Sequence, residues 1–107
     1  MIPLLEASDP RRFGGKASSL ARLLAAGLPV PDGVVLPIEE FHAFARFNHL
    51  DLRPRDSGQV EVLRLGILAG RIPPELGAAL RGLTLGDRLV VRSSAIEEDG
   101  RERSFAG

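Results

Sequence analysis

At 107 residues and 11.5 kDa the chain has room for one hydrophobic core but not for two full-sized ones. Fourteen acidic residues offset fourteen basic ones, so no net field draws the chain to nucleic acid or to an anionic membrane, and any anion site must be local. It has no cysteine, which excludes disulfides and thiolate metal sites and fits a reducing compartment. The opening "MIPLLEASDP" lacks a basic flank, and no segment approaches the ~20 apolar residues of a membrane span, so the chain reads as soluble and cytoplasmic.

In chain order, the first periodic segment follows Gly14-Gly15: Leu20, Leu23 and Leu24 fall at helical spacing, and Gly27 offers a left-handed stop, which predicts a helix to about Ala26. "PDG" at 31–33 is a turn signal, and Val34-Val35-Leu36 suits a short buried strand. Pro37 can take the first position of a second helix, with Ile38, Phe41, Phe44 and Ala45 on one face. The polar, proline-interrupted "LDLRPRDSG" at 50–58 reads as a loop. Val60, Leu63 and Ile67 then mark a third helix that Gly70 can close, and "PPEL" at 73–76 opens a fourth that Gly82 can close. Leu89 to Val91 read as a second buried strand, and the aperiodic stretch from Ala95 to Gly107 reads as a mobile loop, less ordered than the strand before it. There is no repeat, no low-complexity tract and no linker that would divide domains. The fold class that follows is α/β (α+β), helix-rich, with a small sheet.

Lys16 is the only lysine; the other thirteen basic residues are arginine. An ammonium is a compact point charge on a flexible stem, whereas a guanidinium is a planar fork, and the two differ where a phosphate is met end-on. Lys16 also stands at a helix start after two glycines, where free N–H groups and the helix dipole attract anions. The alternative is an ordinary solvated lysine behind a glycine pair that opens a helix. Arg92 leaves the end of the second predicted strand, and Ser93 and Ser94 beside it add hydroxyl and amide donors. Two such groups on different elements would make a polyphosphate clamp if the fold brought them together, although 76 positions separate them.

Two common nucleotide schemes fail. A P-loop would need glycine where Pro10 stands and Ser or Thr where Ala17 stands, and no dinucleotide-binding glycine pattern follows a strand. His42 and His49 are seven apart and would share a face if one helix ran through both, but with no acid or cysteine at ligand spacing they read as surface or core-edge histidines. Glu97, Glu98 and Asp99 could hold Mg²⁺ near a phosphate or form a solvated acidic turn. Phe41, Phe44 and Phe47 read as packing, since no basic surround accompanies them.

The order of "GGKASSLARLLAAGLPVPDGVVLPIEEFHAF", then "IPPEL", then "VVRSSAIEEDGRERSFAG" resembles the N-terminal nucleotide-binding region of the phosphoenolpyruvate synthase and pyruvate phosphate dikinase family, which also includes rifampicin phosphotransferase. The likeness covers nearly the whole chain outside the stretch around 48–60. It implies the first part of an ATP-grasp fold, in an enzyme that moves a phosphoryl group from ATP to a histidine on a separate domain. It implies further that Lys16 and Arg92 contact the ATP phosphates, with Ser93 beside them, and that the loop ending in Ser104-Phe105-Ala106-Gly107 closes over the nucleotide. ATP is the implied ligand, with Mg²⁺ held by residues beyond this chain. The remaining half of the grasp fold and the phosphohistidine domain are the implied partners, on the same chain or on another protein. The chain departs from the family pattern at Ile96-Glu97, where Thr-Ala is common, and at Gly100-Arg101, where Leu-Pro is common. Its two histidines match no motif position of the family and take no catalytic role. A different class of reading remains beside this one: a non-catalytic module that keeps the same fold and binds a partner protein.

Overall fold

The computed structural model describes residues 1–83 and 88–95. It divides into two compact units, one containing Met1–Pro37 and the described residues 88–95, the other spanning Ile38–Leu83.

In the first unit, strand β1 (Ile2–Pro3) pairs antiparallel with β2 (Val34–Val35), Ile2 opposite Val35 and Pro3 opposite Val34. The Leu4 N–H donates to Gly33 O at 2.8 Å and extends the pairing into a 3₁₀ turn at Leu4–Glu6. Helix α1 (Pro10–Phe13) is a single turn whose start is written in Asp9-Pro10. The Asp9 carboxylate accepts from the Arg11 N–H, and Pro10 sits where its missing N–H is not needed. Helix α2 (Gly15–Ala25) follows after one residue, close to the span predicted from the leucine spacing. It ends at Gly27, φ +80°, where the Leu28 N–H bonds Leu23 O and the Gly27 N–H bonds Leu24 O. Those two bonds form the left-handed stop that glycine allows without steric cost. The core comprises Leu4, Ala7, Phe13, Ala17 and Ala21, with Leu20, Leu24, Val30 and Val35 packed on it. Small residues on the inner face of α2 let the helix lie close against α1 and the 3₁₀ turn.

The second unit holds α3 (Ile38–Phe47), α4 (Ser57–Ala69) and α5 (Pro74–Arg81). Helix α3 buries Phe44 and Ala45, while Phe41 and Phe47 remain partly exposed. It stops at His49, whose φ of 54° places it in the left-handed region. There the Leu50 N–H bonds Ala45 O and the His49 N–H bonds Arg46 O, the same closing pattern as at Gly27. Helix α4 starts at Asp56, which accepts from the Gln59 N–H, while Gln59 Oε1 accepts from the Arg55 N–H. These reciprocal bonds work as a capping box does. Asn48 joins the ends of two helices: its amide nitrogen donates to Phe44 O and Arg71 O, and its Oδ1 accepts from the Arg71 N–H. Gly70 lies so close to the Phe44 ring that a Cβ there would overlap it.

The helix-rich α+β class agrees with the sequence reading, but the sheet is composed differently. Val34-Val35 is a strand as expected, and its partner is the N-terminal Ile2–Pro3, which carries no strand periodicity. The buried strand expected at Leu89 to Val91 is not formed: these residues are in no strand and are 61%, 79% and 95% exposed. An apolar run shows suitability for burial, but a strand also needs a neighbour for its backbone, and β1 and β2 are two residues each and pair with one another. His42 and His49 do not share a helix, because α3 ends at Phe47. The loop expected from Ala95 to Gly107 lies, from residue 96 on, outside the described residues.

Candidate functional site

The start of α2 is built around a glycine pair with two different tasks. Gly14 closes α1 and opens α2 at once, with φ 83° and ψ 164°, a backbone region open essentially to glycine alone. It has no side chain with which to cap the helix it opens. Gly15 is the first residue of α2, and among the described residues, its chain neighbours and its own helix backbone aside, nothing lies within 4 Å of where its Cβ would be.

The missing cap comes from the segment at residues 88–95. Ser94 Oγ accepts from the Ala17 N–H at 3.1 Å, across 77 positions of sequence. The same hydroxyl donates to Phe13 O at 2.7 Å. The Ser18 N–H is bonded to Gly14 O. Among the described residues the N–H groups of Gly15 and Lys16 have no acceptor. The helix start therefore presents two adjacent unpaired amides at the positive end of the α2 dipole, with the Lys16 ammonium on the same turn.

Lys16 is exposed at the second position of α2, and Arg92 and Ser93 are exposed in the 88–95 segment. No ion pair to a carboxylate holds Lys16 or Arg92 among the described residues. The backbone of the segment that carries Arg92 and Ser93 is brought to the helix start through Ser94. Ser104 and Gly107, the other two residues assigned to nucleotide binding, lie outside the described residues, as do Glu97, Glu98 and Asp99. Among the described residues no three His, Cys, Asp or Glu side chains gather in a way that could hold a metal ion. No helix of the described residues is long and apolar enough to cross a membrane.

The sequence alone groups Ser93 and Ser94 as donors for an anion. The structure separates them, since the Ser94 hydroxyl faces inward and is used by Phe13 and Ala17. The available signal was Gly14, a helix-opening residue with no capping side chain of its own, which asks for a cap from elsewhere.

Residues 11–107 match the family described as pyruvate phosphate dikinase, AMP/ATP-binding domain. The chain belongs to that family. The prodigiosin synthesizing transferase PigC of Serratia marcescens is 43% identical over 103 residues, which cover 92% of this chain and 12% of PigC. The phosphoenolpyruvate synthase of Aeropyrum pernix is 34% identical over 88% of this chain and 14% of its own length. The phosphotransferase YvkC of Bacillus subtilis, whose function is uncharacterized, is 35% identical over 88% of this chain and 11% of its own. No solved structure matches. The chain thus spans between about a tenth and a seventh of the relatives it resembles. The pyruvate phosphate dikinase match begins at Arg11, inside α1, so it includes the glycine pair, Lys16 and the whole 88–95 segment.

Proposed function

We propose that this chain is the ATP-binding N-terminal portion of a phosphoenolpyruvate synthase or pyruvate phosphate dikinase-like phosphotransferase, and that Lys16 and Arg92 grip the ATP phosphates from two directions. The observation that carries the reading is the match to an AMP/ATP-binding domain over residues 11–107. The geometry of the helix start supports it: among the described residues two amides lack an acceptor and space is open beside Gly15, and with the exposed ammonium these would make a local anion site on a chain of zero net charge. In this reading the ammonium meets one phosphate oxygen end-on, while the Arg92 guanidinium takes two oxygens as a fork, with the Ser93 hydroxyl beside it. Phosphoryl transfer depends chiefly on positioning and charge stabilisation, and that is what these residues supply. Mg²⁺ would neutralise the phosphates when bound, and its ligands belong to other parts of the enzyme. The acceptor is a histidine on another domain, and the rest of the grasp fold covers the nucleotide. By this reading the 107 residues are the opening part of an ATP-grasp domain.

The test is equilibrium binding of a magnesium complex of a non-hydrolysable ATP analogue to the full-length protein. Lys16→Ala and Arg92→Ala should each weaken binding by about tenfold or more, the scale of one charge-assisted hydrogen bond. Lys16→Arg should impair turnover although charge is retained, because a fork does not replace a point contact beside the glycine pair. Unchanged affinity in both alanine variants would remove the phosphate clamp. A folded wild-type protein that binds no nucleotide would favour the protein-binding module instead.

A further inference from the structure

We infer that Ser94 is a positioning residue: its hydroxyl fastens the segment carrying Arg92 to the start of the helix carrying Lys16, and the absence of a side chain at Gly14 is what admits it. The inference rests on the nucleotide reading for its consequence, but its geometry stands independently. A backbone N–H can only donate and a carbonyl can only accept, so the bonds to Ala17 and Phe13 fix the direction of both hydrogen bonds at Ser94 Oγ. The oxygen must accept from Ala17 and its hydrogen must point to Phe13. A hydroxyl does both from one atom. Alanine does neither.

An N-terminal cap is ordinarily supplied by the residue that opens the helix, bonding the second or third amide. Here the opening residue is Gly14, and the third amide, that of Ala17, is capped by a residue 77 positions further on. Gly14 is bound to this arrangement by space as well as by its φ of +83°. A Cβ there would lie 2.5 Å from Ser94 Oγ, 2.6 Å from Ala95 O and 2.9 Å from the Ser94 carbonyl carbon. Two of these three atoms belong to backbone and cannot turn aside. The glycine and the serine are therefore one device.

The consequence falls on residues that Ser94 does not itself touch. Lys16 immediately precedes the capped Ala17, and Arg92 lies two residues before Ser94. Both are exposed, and no ion pair holds either of them among the described residues. Their relative placement therefore depends on the backbone, and the Ser94 hydroxyl joins the two backbones. By occupying the Ala17 amide it also leaves the Gly15 and Lys16 amides as the ones free to meet an anion.

The experiment compares Ser94→Ala and Ser94→Thr with wild type in the full-length protein, reading hydrogen exchange at the Ala17 amide and affinity for magnesium AMP-PNP. Ser94→Ala should speed exchange at Ala17 and weaken nucleotide binding by about tenfold each, as expected for losing about one hydrogen bond. Ser94→Thr retains the hydroxyl and should restore both toward wild type, a rescue that simple loss of packing would not give. Wild-type exchange at Ala17 in Ser94→Ala would overturn the fastening. Faster exchange with unchanged affinity would overturn the positioning role. If wild type itself binds no AMP-PNP, the nucleotide reading fails, and the fastening is decided by the exchange arm alone. Should Ser94→Ala not fold, Ser94→Cys, which keeps the shape but weakens both hydrogen bonds, takes its place with the same readouts and the same outcomes.

Discussion

Gly14 and His49 both hold positive φ angles, +83° and 54°, and the physical setting gives them opposite responses to substitution. At Gly14 the ψ of 164° belongs to a region essentially closed to side chains, and the space for a Cβ is filled by Ser94 and Ala95. Gly14→Ala should therefore lose about 2 kcal/mol or more, the strain of the backbone alone being about 1–3 kcal/mol. Chemical denaturation of the variant checks this, and a loss within error of zero would mean that the 88–95 segment is not seated there. At His49 the left-handed conformation is one that a side chain can adopt at a cost, and glycine adopts it freely. His49→Gly should stabilise the protein by about 1 kcal/mol, read as a raised denaturation midpoint. A destabilised variant would show that the imidazole does more than end a helix.

The elements of the second unit depend on their caps. Asp56 and Gln59 satisfy N–H groups at the start of α4, a helix in which no residue is fully buried. Packing therefore contributes less to α4 than to α2, and the cap correspondingly more. Asp56→Ala should cost about 1 kcal/mol, measured by thermal or urea unfolding. One turn further on, Glu61 accepts from both Nε and Nη2 of Arg64, and those bonds lower the Glu61 pKa and raise that of Arg64. A carboxyl whose pKa is lowered on folding contributes stability above its unfolded pKa and loses it as pH falls through the folded value. Both side chains are more than half exposed, so solvent screens the pair. Titration of Glu61 followed by NMR should give a midpoint below the ordinary glutamate range, while Glu61→Gln leaves the unfolding midpoint at neutral pH nearly unchanged.

At the scale of the whole molecule, each unit leaves apolar surface uncovered. Val62, Leu65 and Leu68 of α4 are exposed, and so are Leu89, Val90 and Val91 of the 88–95 segment. The relatives that the chain resembles are several times its length, the aligned part being 12%, 14% and 11% of them. The 107 residues on their own should accordingly hydrolyse no ATP above background, because the proposed phosphate grip would not by itself position a nucleophile. A turnover assay with Mg²⁺ and a Lys16→Ala control checks this. Activity that vanishes in the control would place the catalytic groups within these residues.

Helix starts and stops were legible in the sequence wherever one residue dictates the local geometry. Gly27 ends α2 through its positive φ, Gly70 and Gly82 stand at the ends of α4 and α5 in backbone conformations open to any residue, and the leucine spacing located α2 nearly to the residue, because these depend on the chemistry of a few neighbours. The family resemblance was legible as well, carried by glycines, a lysine and an arginine in fixed order. Asp9-Pro10 is an equally local start signal for α1, a helix of one turn that is too short to show a period. What could not be read along the chain was partnership. The pairing of Ile2–Pro3 with Val34–Val35 and the turning of Ser94 inward, away from the role of anion donor, each depend on a residue distant in sequence, and the exposure of Leu89 to Val91 reflects that no strand pairs with them among the described residues. A hydroxyl is equally suited to a phosphate or to a helix amide, and an apolar run equally suited to a strand or to a surface awaiting cover. Only the tertiary structure, by placing Ser94 over Gly14, decided which of these the residues do.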